Sequence, residues 1–513
     1  KNRHLLGFDN PLRALSTTVK EIVDNSLDAC EEMGVLPDIT VNVKQISETR
    51  FEVGVLDNGP GVVKEQIPNV FAKLLYGSKF FRYRMSRGQQ GIGVSASVLY
   101  GQLTTGKAAR ITSKIGKNKP AHYYELKIDI NKNEPQILKD QTVNFAQDHG
   151  TSVVIELEGK YQKGRQSVDE YLKQVAIANP HAHIVYITPL KEKIVFKRVI
   201  NKLPKEPKEI KPHPYGIEIG ILMRMAANSK TKTLQSFFSN EFSRVSVNLA
   251  KEICQKANVN SDIKPNLVNH DEAEKLIKAI KETKISSPPL DCLSPIGEQA
   301  VVEGLKKEIK ADFYTSVTRR PSVYRGFPFQ IECGLAYGGE ISSEELIRVM
   351  RLANKVPLQY QQSACAITKS IINTSWRNYG LSQSKGALPQ GPIILIVHIA
   401  SVWVPFTSEA KEAIAHYPEI IKQIKLALQD VGRKLGSYIR KTVRVKEQRE
   451  RASLFEKYIP EVASSLEILS GEKKSKIEDH LRKILKKNLK DILQGVVDEV
   501  PVNEKTKKEK QAT

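Results

Sequence analysis

The sequence predicts a multidomain α+β protein, and three features of the chain support this fold class. A length of 513 residues is too great for one hydrophobic core and predicts two to four domains. Residues 1–200 combine helical and strand-like apolar patterns, and residues 310–450 do so again. Residues 230–285, between them, carry short helical patterns only. The chain is therefore expected to hold two α/β regions separated by a helical one.

The N-terminal region is predicted to begin with an amphipathic helix over residues 11–33, because its apolar residues recur every three or four positions. Those positions are Leu12, Leu15, Val19, Ile22, Val23, Leu27 and Cys30. Apolar and polar residues then alternate over 39–43 and 51–55, which predicts two strands. Two further strands are predicted at Tyr123–Ile130 and Thr151–Leu157.

Proline and lysine residues separate this region from the rest of the chain. The stretch 201–215, "NKLPKEPKEIKPHPY", is typical of a linker. The later predicted elements are helices at Arg244–Lys256, Asp271–Lys281, Pro418–Arg444 and 473–493 and strands at Phe329–Tyr337 and Ile393–Val404. The final ten residues, "EKTKKEKQAT", are predicted to be disordered.

The composition favours some function classes and excludes others. Lysine and arginine number 79 against 57 acidic residues, a net charge of +22 that favours a polyanionic partner such as nucleic acid. A basic soluble protein without such a partner stays open. The five cysteines form no C-x-x-C pair, which excludes a zinc ribbon and a disulfide scaffold and fits a reducing cytoplasm. No apolar run is long enough to span a bilayer, and no signal peptide is recognisable.

The stretch 87–95, "RGQQGIGVS", places three glycines ahead of a predicted helix. Its spacing is G-x-x-G-x-G, which matches neither the dinucleotide fingerprint nor the phosphate loop that ends in Lys-Ser/Thr. Glycines nevertheless let backbone N–H groups approach an anion, and a helix N-terminus adds positive partial charge. The pattern alone leaves two interpretations open, a phosphate cradle or a mobile surface loop.

Two further motifs carry acidic and amide side chains. Glu21 and Asn25 are four residues apart on the first predicted helix and so share one face. An amide oxygen is a suitable Mg²⁺ ligand and a carboxylate can deprotonate water, although a plain polar helix face would look the same. Asp57, in "DNGPG" at the end of a predicted strand, could accept a hydrogen bond from an adenine amino group or belong to an ordinary turn.

In chain order, E-x-x-x-N, D-x-G-x-G, G-x-x-G-x-G and the Gly150-Thr151 pair resemble the ATP-binding domain of the GHKL superfamily. The downstream sequence is similar to the B subunits of type IIB DNA topoisomerases, particularly archaeal ones, over roughly residues 1–465. The segments that carry this likeness include "KEIVDNSLDAC", "RGQQGIGVSASVLYGQ", "GFPFQIECGLAYGG", "RLANKVPL" and "EAKEAIA".

The resemblance implies four regions. They are a GHKL ATPase domain with an α/β sandwich at 1–215, a helix–two-turns–helix domain at 216–300, an α/β transducer domain with a long helix at 301–447, and a basic helical region with a disordered tail at 448–513. Residues 76–87 would form a lid over the nucleotide.

The resemblance also implies roles for individual residues. Glu21 would be the general base, Asn25 the Mg²⁺ ligand, and Asp57 the acceptor for the adenine amino group with Thr151 supporting it. Lys411 would reach the γ-phosphate of ATP from the transducer. Further nucleotide contacts would come from Ser78 and Lys79 in the lid and from Gly88, Gln89, Gln90, Gly91, Ile92, Gly93, Val94 and Ser95, which would wrap the phosphates.

The function implied is that of an ATP-hydrolysing type II topoisomerase subunit with ATP and Mg²⁺ as cofactors. Its expected partners are an A subunit in an A2B2 heterotetramer, a second B subunit and double-stranded DNA, in the cytoplasm at the nucleoid and without a membrane. The A subunit would cleave DNA. Two alternatives stay open: a mismatch-repair-like ATPase clamp on DNA, and a DNA-binding scaffold whose nucleotide site only binds.

Overall fold

A computed structural model describes residues 7–76, 83–88, 91–408 and 410–498, with side-chain surroundings given as far as residue 487. The chain forms two compact units. One contains residues 1–374 and 384–431, and the other contains residues 375–383 and 432–513. Among the described residues no helix is long and apolar enough to cross a membrane.

The first region of the larger unit is an eight-stranded sheet with helices against it. The order of its strands is β5-β4-β3-β6-β2-β1-β7-β8, and only β1 and β7 run parallel to each other. Its elements are α1 (Pro11–Met33), β1 (Asp38–Gln45), β2 (Arg50–Asp57), α2 (Ile67–Ala72), α3 (Gly93–Thr105), β3 (Ala109–Lys114), β4 (Ala121–Asp129), β5 (Glu134–Val143), β6 (Gly150–Glu158), α4 (Val168–Ala178), β7 (His183–Ile187) and β8 (Lys193–Phe196).

The packing of this region follows from its apolar patterns. α1 buries Leu15, Val19 and Ile22 within the same core as the alternating valines of β1 and β2. Asn10 begins α1 because its Oδ1 accepts the N–H of Arg13 at 2.9 Å. Gly34 ends the helix in a left-handed conformation, φ 77°. The predicted helix at 11–33 and the first two strands are confirmed, with each strand slightly longer than expected.

The predicted linker contains no regular element over residues 201–213, but it is held in place by hydrogen bonds. The N–H of Lys208 donates to the carbonyl of Asp291 at 2.9 Å, and that of Ile210 donates to the carbonyl of Tyr83 at 3.1 Å. A four-helix group follows, consisting of α5 (Ile219–Asn228), α6 (Leu234–Glu241), α7 (Val247–Lys256) and α8 (His270–Glu282). Its core includes three clustered rings, Phe237, Phe238 and Phe242.

A second sheet completes the larger unit. Its elements are α9 (Glu298–Glu308), β9 (Phe313–Thr318), β10 (Ser322–Tyr324), β11 (Phe327–Tyr337), β12 (Arg348–Ala353), β13 (Val356–Pro357), α10 (Ala366–Ile372) and β14 (Ile393–Ser401). The central strand β14 is buried along its whole length and pairs antiparallel with β11 and parallel with β12. α9 packs against α4 so closely that a Cβ at Gly304 would lie 2.1 Å from the carbonyl oxygen of Ile177.

Two helices end the described chain. α11 (Pro418–Ser470) is much longer than the predicted Pro418–Arg444, and α12 (Lys474–Asp498) covers the helix predicted at 473–493. Within α12, Ile477 is buried and Ile484 is exposed. The predicted disordered tail lies outside the described residues.

Lys307, on α9, provides a test of the packing. Its Nζ is buried and has no hydrogen-bond partner within the described part of the chain. Burial lowers the pKa of Lys307 to about 8 from 10.5, against a raising effect of Glu308. We expect Lys307→Met to raise the free energy of unfolding at pH 7 by about 1 kcal/mol, because the charged amine is no longer desolvated.

The sign of this effect depends on pH. A lowered pKa makes the lysine destabilising below pH 8, and the cost disappears as pH rises towards 10.5. The advantage of Lys307→Met should therefore shrink between pH 7 and pH 10, which denaturant unfolding at each pH would measure. An advantage of the same size at both pH values would show that packing, rather than ionisation, causes it.

Candidate active site

One cavity of about 340 Å³ gathers the predicted site residues that the structure describes. A cavity of this size falls in the range that holds small-molecule ligands. The predicted residues along its wall are Glu21, Asn25, Asp57, Gly88, Gly91, Ile92, Gly93, Val94, Ser95, Thr151 and Lys411. Ser78, Lys79, Gln89 and Gln90 lie outside the described residues, so their predicted contacts stay predictions.

The first wall of the cavity is one face of α1. Glu21 and Asn25 lie one helical turn apart, and the side chain of Glu21 is only 22% exposed whereas Asn25 is exposed. The Nζ of Lys20 lies 4.0 Å from Glu21 Oε1. The face of α1 that carries Val19, Ile22 and Val23 is buried in the core. The amphipathic pattern of α1 thus determines that its polar residues Glu21 and Asn25 line the cavity.

The second wall is the start of α3, which follows the glycine-rich segment 88–92, called the glycine loop below. A Cβ at Gly93 would lie 1.7 Å from Glu21 Oε2, so only glycine lets this turn lie against the carboxylate. Gly91 adopts a left-handed conformation, φ 67°. The residue before the helix, Ile92, has no capping side chain. A helix N-terminus of this kind presents backbone N–H groups and positive partial charge to an anion.

Asp57 lies at the end of β2 and is only 5% exposed. Its Oδ2 accepts a hydrogen bond from Ser26 Oγ at 2.7 Å, and its Oδ1 accepts the N–H groups of Gly59 at 2.9 Å and Thr151 at 3.1 Å. Burial raises the pKa of Asp57, and these hydrogen bonds oppose that rise. The carboxyl group is therefore fixed in orientation at the cavity wall.

The third wall comes from the second sheet region, through residues 357–360 and 410–412. Lys411 lies there with a left-handed backbone, φ 54°, and it also lines a small adjoining pocket beside Glu21, Asn25 and Gly88. Its neighbour Glu412 forms an ion pair with Arg13 at the start of α1. The segment that carries Lys411 is thus tied to the helix that carries Glu21.

Arg351, which is buried, holds this third wall together. Its guanidinium donates to the carbonyl oxygens of Leu358 and Tyr360, both at 2.7 Å, and to that of Glu412 at 3.3 Å. It thereby joins the two segments that face α1.

Charged residues that the sequence did not single out lie directly behind the glycine loop. The side chain of Arg87 is 3% exposed and donates to Asp28 at 2.8 Å and to Glu31 at 2.6 Å. Burial would raise the pKa of Glu31, but Arg87 and Lys355 outweigh it and hold that pKa well below its usual range. Asp24, another buried residue of α1, has its pKa raised to about 7 by burial. Asp24, Asp28 and Glu31 share one face of α1, but Arg87 and Lys355 reach them only in the folded chain, so the sequence does not indicate the whole cluster.

The donor set is compatible with Mg²⁺ held largely by a bound nucleotide. Among the described residues no group of three or more His, Cys, Asp or Glu side chains could hold a metal ion. Mg²⁺ commonly binds through one or two protein oxygens together with phosphate oxygens and water. The exposed amide of Asn25, inside the cavity, offers such an oxygen.

Comparison with known proteins identifies the families of the two regions that line the cavity. Residues 13–153 match the family model of the histidine kinase-, DNA gyrase B- and HSP90-like ATPase, and residues 288–451 match that of the topoisomerase VI B-subunit transducer. The chain is 49% identical over 467 residues to the B subunit of type 2 DNA topoisomerase 6 from Methanococcoides burtonii, covering 91% of this chain and 75% of that protein.

Two other relatives with the same description are similar over comparable lengths. The protein of Methanosarcina barkeri is 50% identical over 90% of this chain and 75% of its own length. The protein of Pyrococcus furiosus is 37% identical over 98% of this chain and 96% of its own length. Because these relatives are 37–50% identical over at least 90% of this chain, the chain belongs to the family of type 2 DNA topoisomerase 6 B subunits.

Proposed function

We propose that this chain is the ATP-operated gate of a type II DNA topoisomerase. The observation that supports this most is the convergence of Glu21, the start of α3 and Lys411 on one cavity, because they come from both the ATPase region and the transducer region. Because residues of both regions line this cavity, binding and hydrolysis of a nucleotide there would act on both regions. ATP-driven closure of two such subunits would capture a DNA duplex and gate strand passage.

Each residue has a task in this proposal. Asp57 accepts a hydrogen bond from the adenine amino group, and the N–H of Thr151 keeps its carboxylate in place. The start of α3 stabilises the negative charge of the phosphates. Glu21 orients and deprotonates the attacking water. Lys411 contacts the γ-phosphate, so that only ATP engages the transducer. Asn25 would hold Mg²⁺, which offsets the charge of the triphosphate.

The partners follow from the family and from the charge. An A subunit would cleave DNA within an A2B2 heterotetramer, and a second copy of this chain would meet the first when ATP binds. The net charge of +22 supports contact with DNA phosphates, which predicts affinity that falls steeply with salt. Arg319 is a weak candidate for DNA contact, because its guanidinium is paired with Asp430 at 2.8 Å. Work on DNA would place the protein in the cytoplasm, at the nucleoid.

The domain limits are also part of the proposal. We retain an ATPase domain at 1–215, a helix–two-turns–helix domain at 216–300, a transducer domain at 301–447 and a terminal region at 448–513. The four helices α5 to α8 share one hydrophobic core, which supports the second of these. The mismatch-repair-like clamp and the DNA scaffold remain alternatives to be separated by experiment.

Asp57 allows a test of nucleotide recognition. We expect Asp57→Asn to weaken ATP binding by about 10- to 100-fold, the usual effect of losing a hydrogen bond to a charged group. Inosine triphosphate carries a carbonyl oxygen where ATP has the amino group, so the variant should lose the preference for ATP. Calorimetric titration of both nucleotides with both proteins measures this. An unchanged ratio of the two affinities would remove Asp57 from adenine recognition.

Closure can be tested by measuring mass in solution. The chain with Mg²⁺ and a non-hydrolysable ATP analogue should shift from monomer to dimer, whereas ADP should leave it monomeric. Asp57→Asn at the same analogue concentration serves as a control that should remain monomeric. If the analogue binds and the mass does not change, closure driven by ATP is wrong for this chain.

A further inference from the structure

We propose that Lys355 and Arg87 are positioning residues for ATP hydrolysis: a buried ionic cluster anchors the start of the glycine loop to the transducer region. This inference rests on the proposed function. It adds to that function the contacts that hold the glycine loop and Lys411 in a fixed position relative to each other. The anchor is defined by the turn Asn354-Lys355 together with Glu31 and Arg87. It uses the "NK" of the "RLANKVPL" segment.

The turn that contains Asn354 has a lysine, Lys355, at a backbone position that favours glycine. Asn354 and Lys355 connect β12 to β13, and Ala353 pairs with Val356 across them. Both have positive φ angles, 49° and 69°. Two-residue hairpin turns of this kind favour Asn followed by Gly, because a side chain at the second position is strained. A lysine at this position is therefore expected to contribute through its side chain.

The side chain of Lys355 enters the cluster behind the glycine loop. It is 4% exposed, and its Nζ lies 3.5 Å from Glu31 Oε2 and 3.2 Å from Ser294 Oγ. Glu31 has other partners as well. Its Oε1 accepts a hydrogen bond from the Arg87 guanidinium at 2.6 Å and lies 2.8 Å from His181 Nε2. A largely buried carboxylate between two cations is a well-compensated arrangement, and removing one cation leaves the remaining charges poorly balanced.

Arg87 and its neighbour transmit this anchor to the glycine loop. Arg87 immediately precedes Gly88, which lines the cavity near Asn25. The Nδ2 of Asn354 donates to the carbonyl of Ser86 at 3.0 Å, and Ser86 Oγ donates to the carbonyl of Gly88 at 2.8 Å. Two contacts therefore hold the start of the glycine loop. One is the ion pair of the Arg87 side chain with Glu31, and the other is the hydrogen bond from Asn354 to the backbone of Ser86.

The same turn is fixed to the strand that leads to Lys411. Asn354 donates to the carbonyl of Ser401 at 2.9 Å and accepts its N–H at 2.9 Å, and Ser401 ends β14, which runs into the segment carrying Lys411. The N–H of Lys355 donates to His398 Nε2 at 2.9 Å, so Nδ1 of that ring is the donor to Glu332 at 2.8 Å. A shift of β14 would thus act on the loop and on Lys411 together.

The test compares turnover with binding in two variants of Lys355. Lys355→Met keeps the length and removes the charge, and Lys355→Gly also relieves the strained backbone, so the second should fold even if the first is destabilised. We expect kcat for ATP hydrolysis to fall at least about 10-fold in both, with ADP affinity within about 3-fold of wild type, because a small misplacement of catalytic groups is costly. The double variant Glu31→Gln/Lys355→Met should recover part of the loss, since it removes the unpaired carboxylate. Lys310→Met, at an exposed lysine, is the matched control.

Three results would overturn the proposal. One is a kcat within about 2-fold of wild type in folded Lys355→Gly. Another is an equal loss of ADP affinity and kcat together with a lower melting temperature, which would indicate general structural support. The third is a double variant with no higher kcat than Lys355→Met, since the absence of recovery would show that Glu31 and Lys355 do not act together. Failure of the proposed function is distinguishable, because the wild-type chain would then hydrolyse no ATP or would hydrolyse ATP without unlinking DNA circles, whereas the anchor is judged by kcat in the variants relative to wild type.

Discussion

Replacing Glu21 with alanine should reduce ATP turnover by about 10²- to 10⁴-fold, the usual contribution of a general base. The carboxylate lies at the cavity wall, 22% exposed, and the glycine turn at Gly93 packs directly against it. The affinity for ADP should change little, because the lost group acts on water rather than on the bound product.

Single-turnover hydrolysis at saturating ATP measures this effect without the contribution of product release. Glu21→Gln is the conservative variant, since it keeps the packing against Gly93 and removes the basic oxygen. Glu274→Ala, at an exposed position of α8, is the control for a carboxylate lost from a helix surface. Hydrolysis at the wild-type rate in Glu21→Ala would show that another group activates the water.

Lys411→Met should reduce hydrolysis by about 10²-fold and should abolish the preference for ATP over ADP. A cation that meets only the γ-phosphate stabilises ATP and the transition state, and it contributes nothing to ADP. The backbone of Lys411 is left-handed, φ 54°, and methionine leaves that backbone unrelieved, so the comparison isolates the charge.

The measurement is the pair of dissociation constants for ADP and a non-hydrolysable ATP analogue, together with the single-turnover rate. Lys385→Met, at an exposed lysine, provides the control. Equal loss of affinity for ADP and for the analogue would assign Lys411 to general phosphate attraction rather than to recognition of the γ-phosphate.

The elements with regular apolar patterns are predictable from the sequence, and the others are not. The prediction of α1 is correct because its apolar residues keep helical spacing throughout. No pattern predicts β5, because it is a largely exposed edge strand with no alternating apolar face. The predicted end of α11 at Arg444 is wrong, since the helix continues to Ser470. Residues 445–458 are mostly exposed and half of them are charged, so helix-favouring residues continue the helix after the apolar pattern stops.

The candidate site shows the same division. Glu21 and Asn25 can be paired from their spacing on one helix, and Asp57 stands out from its turn at a strand end. The contacts among Glu31, Arg87 and Lys355 could not be predicted, because they join three segments far apart in the chain and depend on tertiary packing. The roles of Ser78, Lys79, Gln89 and Gln90 stay predictions.

The most direct test of an ATP-operated DNA gate is ATP-dependent decatenation of linked DNA circles by this chain mixed with its cognate A subunit. We predict unlinked circles only when ATP and both subunits are present, with Glu21→Ala slower by orders of magnitude. Circles that stay linked although the unmodified chain hydrolyses ATP would contradict strand passage and favour the mismatch-repair-like clamp.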